Sequence, residues 1–193
     1  VSALANELNS EQTATTPVLA VDDLVKVFPI RQLQGIRVVK GIVQAVSNVS
    51  FSIDEGKTLG LVGESGSGKS TVARCVLQLL IPTSGSVKYH GTELVGMSRK
   101  ALQPLRQEMQ MVFQDPYASL DPRLTVGNAI AEPLQVHKVP GKHSERVAEL
   151  LELVGLAPDH AKRFPHEFSG GQRQRVGVAR ALALEPKLIV LDE

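Results

Sequence analysis

Gly63-Glu64-Ser65-Gly66-Ser67-Gly68-Lys69-Ser70 follows the pattern G-x-x-x-x-G-K-[ST]. Each residue type has a chemical use there. A polyphosphate needs several N–H donors converging on it, and glycines let the backbone curl close without a Cβ clash. A helix that follows presents its positive end to the anion. Lys69 supplies a mobile point charge for the terminal phosphates. The Ser70 hydroxyl can ligate Mg²⁺, which prefers oxygen. The pattern needs a strand before it and a helix after it. Thr58 to Val62 reads as a short apolar strand, and Val72, Val76, Leu79 and Leu80 share one helical face.

Two other stretches could do chemistry. The apolar run Leu188-Ile189-Val190-Leu191 reads as a strand buried on both faces, and it ends in Asp192-Glu193. Ligands of open parallel sheets lie at the carboxyl ends of strands. An aspartate there can hold Mg²⁺ and a glutamate can orient or deprotonate an attacking water. A solvated strand end is the plainer reading of two acids. A phosphate loop about 120 residues upstream favours the metal reading, because P-loop NTPases need such an aspartate. The second stretch is Ser169-Gly170-Gly171-Gln172, a capping serine and two glycines opening a helix through about Leu184. It is either another phosphate-competent helix start or an ordinary capped helix.

The remaining elements must position these groups. Residues 18–28 and Val43 to Ile53 read as strands, with a loop over 30–41 and a turn at 54–57. Pro82 ends the helix after the phosphate loop. Val87 to Tyr89 and Met109 to Phe113 are further strands, the first closed by a turn at His90-Gly91. Residues 124–164 become mostly helical. Val147, Leu150, Leu151 and Val154 fall at i, i+3, i+4 and i+7, with Ser144 as the N-cap and Gly155 as the stop.

Composition narrows the function classes. The chain has 193 residues, 42% hydrophobic and 21% charged, enough apolar material for a core. No apolar run reaches the ~18 residues of a membrane span. A net charge of +1 and 4% aromatics argue against a nucleic-acid partner. Cys75 is the one cysteine, which excludes an internal disulfide. Residues 1–17 read as a linker or loose tail. The chain begins at Val1 and stops just after an apolar strand, so it reads as a fragment of a longer protein. The expectation is that the isolated 193 residues are hydrolytically inactive and only marginally folded.

Four strings occur in the order used by ABC transporter ATPases. Residues 63–70, Gln114, Ser169 to Gln172 and Asp192-Glu193 resemble that family's Walker A, Q-loop, signature and Walker B motifs. The resemblance covers about residues 18–193. Val112 to Arg123 and Phe164-Pro165-His166-Glu167-Phe168 are similar to the ATPases of oligopeptide, dipeptide and nickel importers. The fold implied is α/β, a P-loop NTPase of ABC type. It has a mixed sheet core, N-terminal antiparallel strands and a helical subdomain over about 115–165, and it is cut after the Walker B strand.

The resemblance also assigns roles. Residues 63–70 and Thr71 bind nucleotide. Phe28 is either the aromatic that stacks on adenine or a core strand residue. Ser70, Gln114 and Asp192 hold Mg²⁺, and Glu193, Gln114 and Lys69 are catalytic. Ser169, Gly170, Gly171 and Gln172 close over ATP bound to an opposite subunit. Phe168 stands where many family signatures have leucine. The family's switch histidine would follow Glu193, and the five histidines of this chain all precede it. The implied function is an ATPase subunit on the cytoplasmic face of a membrane, powering import of peptides or related small solutes. Its implied cofactors are ATP and Mg²⁺. Its implied partners are membrane permease subunits, a second ATPase domain (identical, similar or fused), and indirectly an extracytoplasmic solute-binding protein. A non-transport soluble ABC ATPase and an inactive nucleotide-binding module are the alternatives.

Overall fold

The computed structural model describes residues 16–34, 37–115 and 120–192, with side chains of 31–40 left aside. The chain divides into two compact units, Val1–Met97 and Ser98–Glu193. The proposed tail over 1–15, Pro116 to Ser119 of the importer-like string, and Glu193 lie outside the described residues.

The first unit is built on an antiparallel sheet in the order β2-β1-β3-β4. Strands β1 (Leu19–Gln34) and β2 (Arg37–Ile53) form one long hairpin, and β3 (Ser84–Tyr89) and β4 (Thr92–Glu93) complete the sheet. The loop expected over 30–41 is therefore mostly strand. Cross-strand partners Ile30↔Gly41, Gln32↔Val39 and Leu33↔Val38 continue the ladder through a stretch whose charges and glycines mask its alternation. The turn at 90–91 occurs as expected, with both residues at positive φ (45° and 77°).

Helix α1 (Lys69–Val76) buries Val72, Cys75 and Val76, and the sheet of the same unit buries Leu19, Val21, Leu24 and Val87. It stops earlier than the spacing predicts. Gln78 adopts φ 52°, and Leu79 N–H donates to the Arg74 carbonyl at 2.9 Å, a left-handed helix stop. Leu79 therefore lies beyond the helix, half exposed rather than on its buried face. The strand expected over Thr58 to Val62 is not formed, because no described strand pairs with it. Val62 is 94% exposed. An apolar run shows that a segment can be buried, but burial also requires a neighbour.

In the second unit β5 (Met109–Val112) pairs in parallel with β6 (Leu188–Leu191). Leu188 is buried, but Leu191 is 68% exposed, so the expectation of a strand buried on both faces fails. β6 has β5 as its one described partner. Helix α2 (Arg99–Glu108) carries no clear signal in the sequence. Pro104 sits inside it, and only Leu102 is buried, so it lacks an apolar stripe. Its start is an ordinary cap, with Ser98 Oγ accepting from the Ala101 amide at 3.2 Å.

Helices α3 (Val126–Val136), α4 (His143–Leu153) and α5 (Gly170–Leu182) share one apolar cluster. Val126, Ile130, Val147, Leu150, Leu151, Val176 and Ala179 lie at its centre. The predicted face of α4 is borne out, and Gly155 (φ 71°) stops the helix. Ser144 is not its cap. Lys142 occupies that position, two residues earlier, without a side-chain cap, and the His143 ring meets the Val139 carbonyl at 2.8 Å.

Candidate functional site

The phosphate loop is shaped by its glycines. Ser67 N–H donates to the Glu64 carbonyl at 3.2 Å, closing a turn, and Gly68 caps α1 at φ 100°. A Cβ on Gly68 would lie 2.1 Å from the Ala45 carbonyl oxygen, so only glycine fits. The Lys69 ammonium donates to the carbonyls of Gly63 and Glu64, both at 2.8 Å. These bonds tie the first residues of the loop to the first residue of the helix. Gly63, Glu64, Ser65, Gly66 and Ser67 are exposed, and Gly68, Lys69, Ser70 and Thr71 are half-buried. A helix leaves the amides of its first turn without acceptors inside the helix, and here that turn carries Lys69, Ser70 and Thr71. An exposed loop with an ammonium at a helix start has the chemistry to accept a polyanion.

Phe28 lies in β1, half-buried, opposite Val43. The Lys26 ammonium stands 5.0 Å from its ring centroid and donates to the Ile81 carbonyl at 2.6 Å. Both readings of Phe28 fit that placement. Lys26 carries no signal in the sequence that would mark it as the ring's neighbour.

The second unit holds the other predicted residues. The parallel register Val112↔Leu191 brings the carboxyl ends of β5 and β6 side by side. Asp192 N–H donates to the Val112 carbonyl at 3.0 Å, and the residue is 6% exposed. Gln114 follows β5 by two residues and is exposed. The sheet thus brings Gln114 and Asp192 to one edge, where ligands of parallel sheets bind. Beyond it, Asp121 clips Arg123: its carboxylate accepts from the Arg123 amide at 2.9 Å, from Nε at 3.0 Å and from Nη2 at 2.7 Å. The Arg123 guanidinium holds the Asp121 carboxyl down to about 2.

At the start of α5, Ser169 and Gln172 form a reciprocal capping box. Ser169 Oγ accepts from the Gln172 amide at 3.3 Å, and Gln172 Oε1 accepts from the Ser169 amide at 2.9 Å. Gly170 and Gly171 are exposed, and a Cβ added to either would meet nothing within 4 Å. Neither has positive φ. Among the described residues nothing requires glycine at these positions, although glycine weakens a helix. A surface that something else must approach closely does require it.

Residues 46–193 match the family described as ABC transporter. The chain belongs to that family. Glutathione import ATP-binding protein GsiA of Pectobacterium atrosepticum is 55% identical over 179 residues, which is 92% of this chain and 29% of that protein. The protein of the same description from Escherichia coli (strain K12) is 55% identical with the same coverage. The chain therefore spans less than a third of the length of these relatives. Among solved structures, the dimeric ATP-binding cassette MJ0796, in a post-hydrolysis state bound to ADP and Pi, is similar with a TM-score of 0.76. It is 31% identical, over 91% of this chain and 73% of that one. A further dimeric structure of MJ0796, a bacterial ABC transporter cassette, gives a TM-score of 0.78 at 30% identity, over the same shares. The expected α/β fold of ABC type is borne out.

Within this ABC transporter chain, the phosphate loop and Phe28 belong to the first unit. Gln114, Ser169 to Gln172 and Asp192 belong to the second. Two supporting residues escaped sequence reading. Glu167 Oε2 accepts from the Phe164 amide at 2.6 Å, and Arg173 Nη1 donates to the Pro165 carbonyl at 3.1 Å. The spacing of Glu167 three after Phe164 was a visible signal of a clip, whereas the burial of Arg173 within the basic string 173–175 was not.

Proposed function

We propose that this chain binds ATP at residues 63–71 and works as the ATP-hydrolysing part of an importer of peptides or related small solutes. The observation that carries the nucleotide assignment is the loop closed by Lys69 onto Gly63 and Glu64 at the start of α1. The importer class is supported by the 55% identity to glutathione import ATP-binding proteins. Lys69 would hold the terminal phosphates and Phe28 would stack on the base. Ser169 to Gln172 would meet the nucleotide of a second ATPase domain, identical, similar or fused. The glycines at 170 and 171, which nothing among the described residues needs, support that reading.

The residues proposed for Mg²⁺ fit it as a donor set. Ser70, Gln114 and Asp192 offer a hydroxyl, an amide oxygen and a carboxylate, all oxygen ligands of the kind this ion takes. When bound, Mg²⁺ would neutralise charge developing on the phosphates. The chain's own residues do the rest. The loop amides and Lys69 orient the triphosphate. Gln114 positions the attacking water, and Glu193 polarises it as general base.

Permease subunits would take the energy released, with an extracytoplasmic solute-binding protein acting indirectly. Attachment would be peripheral, on the cytoplasmic face, as the likeness to import ATP-binding proteins suggests. Among the described residues no helix is long and apolar enough to cross a membrane. The test is to reconstitute the intact protein with its permease and follow solute uptake. Uptake that needs ATP and is abolished by Lys69→Ala supports the proposal. ATP turnover by a protein that no membrane partner retains would point instead to a soluble ABC ATPase.

A further inference from the structure

We propose that Arg173 is a positioning residue that holds the glycine turn at 170–171 in its working orientation. This rests on the reading of Ser169 to Gln172 as the surface that meets nucleotide on an opposing domain. The problem it answers is physical. Two glycines at the first two positions of a helix make that turn intrinsically weak, because glycine loses more backbone freedom on folding than any other residue. The capping box fixes Ser169 and Gln172 to each other but not to the rest of the unit.

Arg173 supplies the missing tie. It is only 8% exposed, and its Nη1 donates to the Pro165 carbonyl, eight residues back. Side chains of a helix lean toward its N-terminus, and here the guanidinium reaches back to Pro165, ahead of the glycine turn. Its anchor is itself held. Pro165 opens a 3₁₀ turn (Pro165–Glu167) clipped by Glu167 onto the Phe164 amide. Phe168, which is buried, packs edge-on against His160 with ring centroids 5.5 Å apart. Residues 164–168 form a fixed base, and Arg173 is the strut from that base to α5. Serine hydroxyl and glycine amides can serve an incoming anion only if the turn that carries them keeps one direction.

The test compares Arg173→Met, which keeps the bulk, with Arg173→Lys, which keeps a cation, in the intact protein. In Arg173→Met, amide exchange at 170–172 should rise about tenfold while protection across α3 and α4 stays as it was. ATP affinity at the phosphate loop should stay within about twofold, and phosphate release should fall about tenfold in kcat rather than in KM. Arg173→Lys should recover part of both losses. Unchanged exchange at 170–172 in Arg173→Met would overturn the proposal. So would loss of protection throughout α3 and α4, which would make Arg173 a general core residue. Gly170→Asp separates the two layers of the argument. If that variant hydrolyses ATP normally while Arg173→Met loosens 170–172, the strut stands and the nucleotide-facing reading of the turn falls.

Discussion

The Lys69 ammonium donates to the Gly63 carbonyl at 2.8 Å, six residues back along the chain. Its second bond, to Glu64, has the same length. The side chain that would contact phosphate thus also shapes the loop that would cradle it. Charge alone does not reproduce this, because a guanidinium is a rigid planar fork and not a compact ammonium on a flexible four-carbon stem. Lys69→Arg is expected to lower ATP affinity at least tenfold, about 1.4 kcal/mol. Titration calorimetry on the intact protein checks it, and an unchanged affinity would show that a positive charge there is sufficient.

Gly68 is irreplaceable for a backbone reason. An alanine there would need φ 100° and would drive its Cβ to 2.1 Å from the Ala45 oxygen. Strain of that kind costs about 1–3 kcal/mol before the clash is counted. Gly68→Ala should lower the thermal midpoint and weaken nucleotide binding together. A variant with unaltered melting would refute the close approach to Ala45.

Gly170, Gly171 and Gly177 behave oppositely. Each has open space at Cβ and no positive φ. Alanine at any of them should leave folding stability unchanged or raise it by about 0.5–1 kcal/mol. The functional outcomes should split. Gly170→Ala and Gly171→Ala are expected to slow phosphate release, and Gly177→Ala, further along α5, is not. Equal rates in all three would remove the argument that the first two glycines serve an approaching ligand.

Legibility in the sequence followed how local each cause was. The phosphate loop, the serine cap at 169, the α4 stripe and the turn at 90–91 rest on neighbours a few residues apart, and all were readable. The end of α1 was not, because it depends on Gln78 adopting a left-handed backbone, which glutamine rarely signals. Helix α2 was hidden by Pro104 and by having Leu102 as its buried side chain. The run at 58–62 looked like a buried strand, but pairing is a property of partners, not of the run. The Arg173–Pro165 bond joins two short segments whose geometry no spacing rule connects.

Asp121 offers a pH prediction. Hydrogen bonds from the Arg123 guanidinium hold its carboxyl at about 2, below the usual carboxylate range. A depressed carboxyl contributes stability that is present above the ordinary value of ~4 and is lost as pH falls through about 2. The pair is solvent-exposed, so the effect should be local. The Asp121 side-chain resonance should titrate near 2 and return toward ~4 in Arg123→Ala, with the global acid-unfolding midpoint unmoved. A resonance titrating near ~4 in the unaltered protein would show that the clip does not form in solution.

The most direct measurement pairs ATP affinity with phosphate release on three versions of the intact protein: unaltered, Lys69→Ala and Gly170→Asp. Lys69→Ala should lose both, by about 2–4 kcal/mol, because it removes a charged donor from the phosphate loop. Gly170→Asp should keep ATP affinity and lose phosphate release, because it places a negative charge where, on the proposed reading, the phosphates of an opposing domain would dock. Lys69→Ala binding ATP as tightly as the unaltered protein, or Gly170→Asp hydrolysing it at the unaltered rate, would contradict the account.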